Sequence, residues 1–431
     1  MNLKLILTSF FVLTITVYAQ SWVPAGNVSA PGTRPSISVS GTNIAWIADG
    51  TLNAPKIFRT TDGGTTWLTV PVSGITNEIY CIWSINDIVA FAGEGYVNGN
   101  AKLLKTTNAG LNWSTVLETS SNGGHFTGIT FTKINGNRFG LAIAEKIYRT
   151  QNSGLNWVEI NAGVVGVSNA QNSLMIVDND FYGFGLNNGA ARIRLTTDNS
   201  ATWNTQQISV SGNYTSAIAY HSNKMFGVAA TSTSLPMISR TTDGGGSWSN
   251  INVGSGVTGT CYFIWVPGTP VVYLLGSNGG IKRSTDNGIS WVTTPTPGVT
   301  GLTHFDFMQS ANIVFGYAVS SGGNVIKLND TLQVLTSTGN NSVVSDFSLS
   351  QNYPNPFNPA TTIQYSLALN SNVRISIFDA LGREVAVPVN EVKQAGSYEL
   401  SFDGSDLSSG IYFYRINEGS FTDIKKMILI K

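Results

Sequence analysis

The sequence predicts an all-β protein, and three observations indicate this fold class. Apolar residues come in short runs of roughly four to seven, bounded by Gly, Asn, Ser and Asp, as is typical of strands joined by tight turns. Only 11% of the 431 residues are charged, while 46 are glycine. No segment combines a sustained helical period with helix caps. We therefore expect many short strands and tight turns.

A repeat of about 45 residues predicts the architecture. The pattern Ser/Thr-x-Asp-x-Gly-x-x-Trp first occurs at residues 60–67, and we call it the box. Each unit has room for four strands, which is the size of one propeller blade. Six copies place an Asp or Asn and a Trp at equivalent positions: Asp62 and Trp67, Asn108 and Trp113, Asn152 and Trp157, Asp198 and Trp203, Asp243 and Trp248, Asp286 and Trp291.

A decayed seventh unit follows the sixth box. Asp330 falls where the box Asp belongs, but Leu335 replaces the Trp. The seventh unit therefore lacks its outer strand. A segment near the N-terminus can supply it, because the residues around Trp22 match the end of a repeat. The sequence therefore predicts a seven-bladed β-propeller over residues 20–335 that is closed by the N-terminal strand.

The segments outside the propeller have their own signatures. Residues 1–19 combine Lys4, an apolar run and the small-residue ending Val17-Tyr18-Ala19, which predicts a signal peptide. No other run approaches the roughly 18 apolar residues of a membrane span, so we do not expect an integral membrane protein. Residues 336–346 are predicted to be a linker, and alternating apolar residues predict an Ig-like β-sandwich over 347–431.

The box resembles the Asp-box (BNR) repeat of sialidases, sortilin-type receptors and photosystem-assembly propellers. Its chemistry suits a scaffold, because the Asp or Asn side chain can accept backbone N–H groups in a tight turn and Trp can pack between blades. Asn108 and Asn152 keep the acceptor and lack the charge, which argues against acid catalysis or a required metal there. A positive φ is expected at the box glycines: Gly64, Gly110, Gly154, Gly245 and Gly288.

A basic residue precedes the box in most repeats. Such a series could form a ring of cations for a polyanion, or each cation could stack on a nearby aromatic ring, and we favour stacking because blades spread the charges around the circumference. The series is broken by Leu195 and comprises Arg59, Lys105, Arg149, Arg240, Arg283 and Lys327.

The sequence favours a non-catalytic binding module. The likeness to sialidases and to box-containing glucanases leaves a carbohydrate-active enzyme as the alternative to it. Such an enzyme would use carboxylates at the propeller rim, and the candidates are Glu94, Glu145, Asp178, Asp180 and Asp306. A sialidase also needs a clamp of three arginines, which is hard to assemble because only four arginines of the propeller lie outside the boxes: Arg34, Arg138, Arg192 and Arg194. We therefore predict no catalytic residues and no cofactor.

The remaining candidate residues do not form a recognisable site. Three histidines lie in different blades without ligand spacing, so no metal site is predicted: His125, His221 and His304. Cys81 and Cys261 occupy similar positions four units apart, so buried thiols are favoured over a disulfide. The net charge of zero gives no electrostatic footprint for nucleic acid.

The C-terminal region resembles the type A sorting domain of the type IX secretion system. A plain Ig-like adhesion module, and the Ig-like domain of flagellar hook-capping proteins, remain alternatives. The resemblance implies export through the periplasm, with the type IX machinery as partner, to the outside or the cell surface. There the propeller would bind an unknown protein or glycan. The matching residues are Asn352, Pro354, Asn355, Pro356, Phe357, Asn358, Pro359, Gly382, Gly396, Gly410, Lys425 and Lys426.

Overall fold

The computed structural model contains strands and no helix in the residues that it describes. None of these residues therefore forms a helix of the length and apolar character that crossing a membrane requires. The described residues are 22–331 and 348–431, apart from 30–31, 33–34, 52–53, 74, 76, 96–99, 120–124, 133–138, 145, 161–172, 188, 210–213, 232–234, 278–279, 311–312, 368–370, 394–395 and 419–420. The predicted signal peptide, the predicted linker and Glu145 lie outside them.

The described N-terminal part forms seven four-stranded antiparallel sheets. Strand β1 (Val23–Asn27) comes first and belongs to the last of these sheets. The next six sheets each take four consecutive strands: β2 (Ser36–Gly41), β3 (Ile44–Ala48), β4 (Ile57–Thr60), β5 (Leu68–Val70); β6 (Ile79–Ser84), β7 (Ala90–Glu94), β8 (Lys102–Thr106), β9 (Ser114–Glu118); β10 (Gly128–Phe131), β11 (Gly140–Ile143), β12 (Ile147–Thr150), β13 (Val158–Ile160); β14 (Leu174–Ile176), β15 (Tyr182–Asn187), β16 (Ala191–Thr196), β17 (Asn204–Gln207); β18 (Thr215–Tyr220), β19 (Gly227–Thr231), β20 (Ile238–Thr241), β21 (Ser249–Ile251); β22 (Cys261–Trp265), β23 (Val272–Gly276), β24 (Ile281–Ser284), β25 (Val292–Thr293).

The last of the seven sheets draws strands from both ends of this region. It contains β26 (Leu302–Ser310), β27 (Ile313–Ser320) and β28 (Asn324–Thr331), and β1 pairs with β28 at its outer edge. Val23 lies opposite Lys327 in this pairing. A strand from the start of the region thus completes a sheet at its end.

The first strands of neighbouring sheets contact one another around a circle. These strands are β2, β6, β10, β14, β18, β22 and β26. Each contacts the next in this order, and β26 contacts β2. Apolar clusters fill the space between sheets, since Trp46 packs in one cluster with Leu104 of the second sheet, and Tyr317 packs with Ile37 across the junction of the last and first sheets. This is the arrangement of a β-propeller.

The C-terminal region forms two further sheets that share one core. The first contains β29 (Ser348–Leu349), β30 (Ala360–Leu367) and β33 (Gly396–Asp403), and the second has the order β32 (Glu384–Lys393), β31 (Ser371–Asp379), β34 (Gly410–Glu418), β35 (Phe421–Leu429). Ile363 and Phe402 of the first sheet join Ile375, Tyr414 and Met427 of the second in a single apolar cluster. The sequence pattern did not reveal β30 and β32 as strands.

Two detailed expectations about the propeller can be compared with the structure. Cys81 and Cys261 are free and buried, and burial raises the pKa of each thiol to about 12. The box glycines have positive φ angles, from 71° at Gly154 to 96° at Gly245. At the fourth box Ser200 replaces the glycine and itself adopts a φ of 72°. Both expectations are confirmed, and the turn keeps its geometry even without Gly.

Candidate functional site

The box is a closed network of hydrogen bonds at the end of the third strand of a sheet. In the first box, Thr60 Oγ1 donates to Asp62 Oδ1 at 2.8 Å and accepts from the Gly64 amide at 2.9 Å. The Thr66 amide donates to Asp62 Oδ1 at 2.9 Å. The Asp62 carboxylate thus accepts hydrogen bonds from residues on both sides of it and closes the turn.

Asn and Asp hold the turn in the same way. Asn108 Oδ1 accepts from Thr106 Oγ1 and from the Asn112 amide, each at 3.0 Å, and Asn152 repeats both bonds. The Asp boxes add a bond from a following hydroxyl, such as Thr66 Oγ1 to Asp62 Oδ2 at 2.6 Å. The geometry therefore depends on one acceptor oxygen that both residue types supply.

The box tryptophans lie at the junctions between sheets. Trp67 Nε1 donates to the Ala25 carbonyl of β1 at 2.8 Å, and its ring meets Tyr317 of the last sheet edge-on at 6.4 Å. Trp113 meets Trp46 of the preceding sheet edge-on at 6.4 Å. The remaining box tryptophans each contact at least one aromatic ring: Trp157, Trp203, Trp248 and Trp291.

Members of the basic series join four of the sheets to the box of a neighbouring sheet. Four of the cations donate to the carbonyl of the residue that follows the box Asp or Asn in the neighbouring sheet. The donor and acceptor pairs are Lys327 and Gly63, Lys105 and Ser153, Arg149 and Asn199, and Arg240 and Asn287. Stacking on aromatic rings, which the sequence favoured, also occurs, for example with Arg59 at 5.5 Å from the Trp46 ring. The sequence did not reveal the bonds between sheets.

The box carboxylates predict a specific response to acid. The Thr66 hydroxyl, the Thr66 amide and the Thr60 hydroxyl lower the pKa of Asp62 to about 2, and Ser247 does the same for Asp243. A depressed pKa means that these bonds stabilise the fold above pH 3.8, the ordinary carboxyl value, and that this stabilisation is lost as the pH falls through about 2. The Asn side chains at the equivalent position, Asn108 and Asn152, do not titrate in this pH range.

The double variant Asp62→Asn, Asp243→Asn is therefore expected to lose less thermal stability than the parent chain between pH 4 and pH 2. The measurement is the melting temperature of both proteins across that range. The control is Asp180→Asn, which changes an exposed carboxylate outside the boxes. Identical pH profiles for the parent and the double variant would contradict the prediction.

The centre of the propeller is a channel of about 210 Å³ lined by the first strands of the sheets. Asp306 lies on β26, where its Oδ2 accepts from the Val39 amide of the first sheet at 2.7 Å. Ser38 Oγ lies 3.5 Å from the same oxygen and accepts from the Ser84 amide at 2.9 Å. The carboxylate and the two serines thus connect the last, first and second sheets.

The structure separates the carboxylates of the enzyme alternative. Glu94 is buried at the end of β7 and accepts from the Asn77 amide at 2.7 Å. Asp178 accepts from two amides of its own turn and forms an ion pair with Lys224, while Asp180 lies in that turn. Within the described part of the chain, no group of three or more His, Cys, Asp or Glu side chains could hold a metal ion.

The C-terminal motif covers the edge of the last strand of the chain. Asn355 Oδ1 accepts from the Ile428 amide at 2.9 Å, and Asn355 Nδ2 donates to the Lys426 carbonyl at 3.2 Å. The Phe357 amide donates to the Ile428 carbonyl at 2.9 Å, and the Phe357 carbonyl accepts from the Ile430 amide at 2.9 Å. The motif thus satisfies backbone groups that an open sheet edge would leave unpaired.

The same motif is anchored in the core. Phe357 is 1% exposed and belongs to the apolar cluster. Asn352 Nδ2 donates to Thr361 Oγ1 at 3.0 Å and to the Pro354 carbonyl at 3.1 Å. The Asn352 amide donates to the buried hydroxyl of Tyr414 at 2.7 Å. Tyr414 completes this anchor, and its role did not appear in the sequence pattern.

The other predicted sorting residues lie at strand ends or on the surface. Asn358 is exposed, Pro359 accepts from the Gly404 amide at 2.8 Å, and Pro356 is exposed. Gly382 has a φ of 78° in the turn between β31 and β32, while Gly396 and Gly410 begin β33 and β34. Lys425 and Lys426 lie on β35. The structure brings together the residues from 352 to 361 with β35, and Gly410 lies opposite Leu429 of the same strand. Gly382 and Gly396 lie elsewhere in the domain.

Comparisons with known proteins match both parts of the chain. Residues 351–431 match the family described as a secretion system C-terminal sorting domain. Residues 49–174 match the family of the photosynthesis system II assembly factor YCF48. A comparison with curated proteins yields no match.

Solved structures share the propeller fold. YCF48 bound to D1 peptide has a TM-score of 0.52 and 17% identity, covering 71% of this chain and 96% of that chain. YCF48 from Cyanidioschyzon merolae has a TM-score of 0.50 and 18% identity, covering 72% and 98%. The WD40 β-propeller domain of Doa1 has a TM-score of 0.51 and 10% identity, covering 72% and 97%. At these identities the likeness concerns the fold alone.

Proposed function

The chain is a β-propeller that carries a type IX secretion C-terminal sorting domain, and from this premise we propose that it is a non-catalytic binding module displayed on the cell surface or released outside. The observation that carries the proposal is the match of residues 351–431 to the sorting domain. A sorting domain directs its cargo to the surface or beyond, so the propeller is the part that would meet a ligand there.

The finer architecture belongs to the same proposal. We assign the seven four-stranded sheets as seven blades over residues 20–335, closed by β1, with 336–346 as linker and 347–431 as an Ig-like sorting domain. The circle of contacts between first strands and the pairing of β1 with β28 support the closure. We further assign residues 1–19 as a signal peptide, which would deliver the chain to the periplasm.

The box residues are assigned a scaffold role in this proposal. Their oxygens accept hydrogen bonds from the turn that they close, and their tryptophans pack at junctions between sheets. A carboxylate engaged in this way is poorly placed to transfer a proton to a substrate. The buried Glu94 and Asp306 likewise accept backbone amides. These contacts support a binding role over hydrolysis.

The ligand is proposed to be a protein or glycan held on the loops at one rim of the ring. Many short loops on a rigid scaffold suit recognition. The YCF48 propeller, which shares the fold, has been solved with a peptide. We infer no nucleic acid partner, since the net charge of zero gives no electrostatic footprint for one. The proposal includes no cofactor.

A hydrolysis screen with the purified chain tests the non-catalytic assignment. We expect no turnover of sialosides or β-glucans above the level of the double variant Glu94→Gln, Asp306→Asn. The same protein is then applied to glycan and peptide arrays, where a saturable signal is expected. Turnover by the parent chain that disappears in the double variant, while the double variant keeps the melting temperature of the parent, would establish the carbohydrate-active enzyme instead.

A further inference from the structure

The outer face of the second sorting-domain sheet is unusually apolar for a face that meets water. Inward residues such as Ile375 and Tyr414 form the core, and the alternate residues point outward. Among these, Ile411 is 45% exposed, Ile424 is 53% exposed and Ile430 is 51% exposed. Clustered exposed apolar side chains are typical of an interaction surface.

A depression of about 300 Å³ lies on this face. Phe378 of β31 and Phe413 of β34 line it, together with Arg415, Ile424 and residues of the turn after β31. The one carboxylate of this lining, Asp379, already forms an ion pair with Arg383 at 2.7 Å. The strand register explains the grouping, because Phe378 lies opposite Phe413 and Ile424 lies opposite Arg415. We call this depression the aromatic pocket.

Two cations border the aromatic pocket on neighbouring strands. Lys426 lies opposite Phe413, and Ile424 lies opposite Arg415, so Arg415 and Lys426 are diagonal neighbours on the same face. Diagonal positions of a sheet are roughly 7–8 Å apart, within reach of long side chains. One carboxylate can therefore contact both side chains at once.

The charges of these two cations are not neutralised within the described residues. Other cations of the domain have carboxylate partners, since Arg374 pairs with Glu384 at 2.8 Å and Lys425 with Asp423 at 3.1 Å.

Arg415 instead stacks on the Phe378 ring at 4.7 Å, and its buried Nε meets no acceptor in the described part. A guanidinium that is partly removed from water without an acceptor favours an anionic partner. Lys426 is exposed beside it, and no salt bridge of the described residues includes it.

We propose that the aromatic pocket binds an acidic segment of an export-machinery protein, with a carboxylate between Arg415 and Lys426 and a neighbouring apolar side chain against Phe378 and Phe413. Charge complementarity selects the carboxylate, and the exposed isoleucines extend the contact along a polypeptide. The inference rests on the proposed function, because it names how the sorting domain meets that machinery.

The first experiment measures surface display of the full chain in a host with a type IX secretion system. Arg415→Met keeps the stacking stem and removes the charge, so we expect at least a tenfold loss of surface protein with an unchanged melting temperature. Arg415→Lys keeps a charge and is expected to retain most of the display. Arg374→Met is the matched control, because it removes a cation of the same sheet that already has a carboxylate partner.

The outcomes distinguish this inference from the proposed function. If Arg415→Met is displayed like the parent while deletion of the sorting domain blocks display, the pocket assignment is wrong and the export assignment stands. If Arg415→Met lowers the melting temperature, Lys426→Gln decides instead, because that side chain is exposed and makes no described contact that folding needs. Normal display of Lys426→Gln would then overturn the pocket.

The second experiment identifies the occupant in intact cells. A benzophenone amino acid replaces the exposed Ile424, and irradiation is expected to give a conjugate with a protein of the machinery that is absent when Arg415→Met is combined with it. A conjugate with lipopolysaccharide would assign the pocket to a phosphate headgroup and overturn the acidic segment. A conjugate of twice the chain mass would assign it to a second copy and overturn it as well.

Discussion

Deletion of residues 348–431 is expected to reduce the amount of the propeller outside the cell at least tenfold and to leave it in the periplasm. The deleted residues form their own two sheets with their own apolar core, so the propeller keeps all of its strands. The measurement is the distribution of the chain between periplasm, cell surface and medium, followed with an antibody against the propeller.

A single exposed substitution supplies the matched control for this deletion. Tyr353 lies within the sorting motif and is 82% exposed, so Tyr353→Ala removes a motif side chain without disturbing the core. We expect its sorting domain to fold, and its melting temperature to match that of the parent. Continued export of the deleted chain past the outer membrane would refute the assignment of the sorting domain.

Trp22→Ala is expected to lower the free energy of unfolding of the propeller by about 3–5 kcal/mol, the usual cost of removing a large buried aromatic side chain. Trp22 is 2% exposed and meets Phe307 of β26 edge-on at 5.7 Å. It lies directly before β1, which completes the last sheet. The substitution therefore leaves a cavity where the two ends of the propeller meet. Chemical denaturation monitored by fluorescence measures the effect.

Val23→Ala is the matched control for the closure. Val23 is the next residue and is 43% exposed, so its truncation should change the free energy of unfolding by no more than about 0.5 kcal/mol. Removal of residues 20–26 should destabilise the propeller further, because it also removes most of the pairing with β28. Equal stability of Trp22→Ala and Val23→Ala would show that this junction does not hold the last sheet closed.

Local chemistry explains why much of the box could be predicted. A side-chain oxygen that closes a turn, and a glycine or its substitute at positive φ, are properties of a few consecutive residues. One feature of the same turn still escaped prediction. The residue before the glycine also has a positive φ, even where it is Ala109 or Ser153, because the surrounding hydrogen bonds hold it there.

Contacts between sheets could not be predicted in the same way. Nothing near Lys105 in the sequence indicates that its ammonium reaches the Ser153 carbonyl, because the two residues meet only when neighbouring sheets pack. The same holds for Asp306 and Val39, which lie at opposite ends of the propeller sequence. Partners chosen by packing become visible only in three dimensions.

The sequence by itself determined the repeat, the all-β class, the turn chemistry of the boxes and the sorting motif, because each depends on residues that are close in the chain. Tertiary structure alone decided where the motif docks, how the cations join successive sheets and which side chains gather around the aromatic pocket. Arg415 and Lys426 became neighbours through strand register. Register follows from burying one face of a sheet, and that burial is a property of the whole domain.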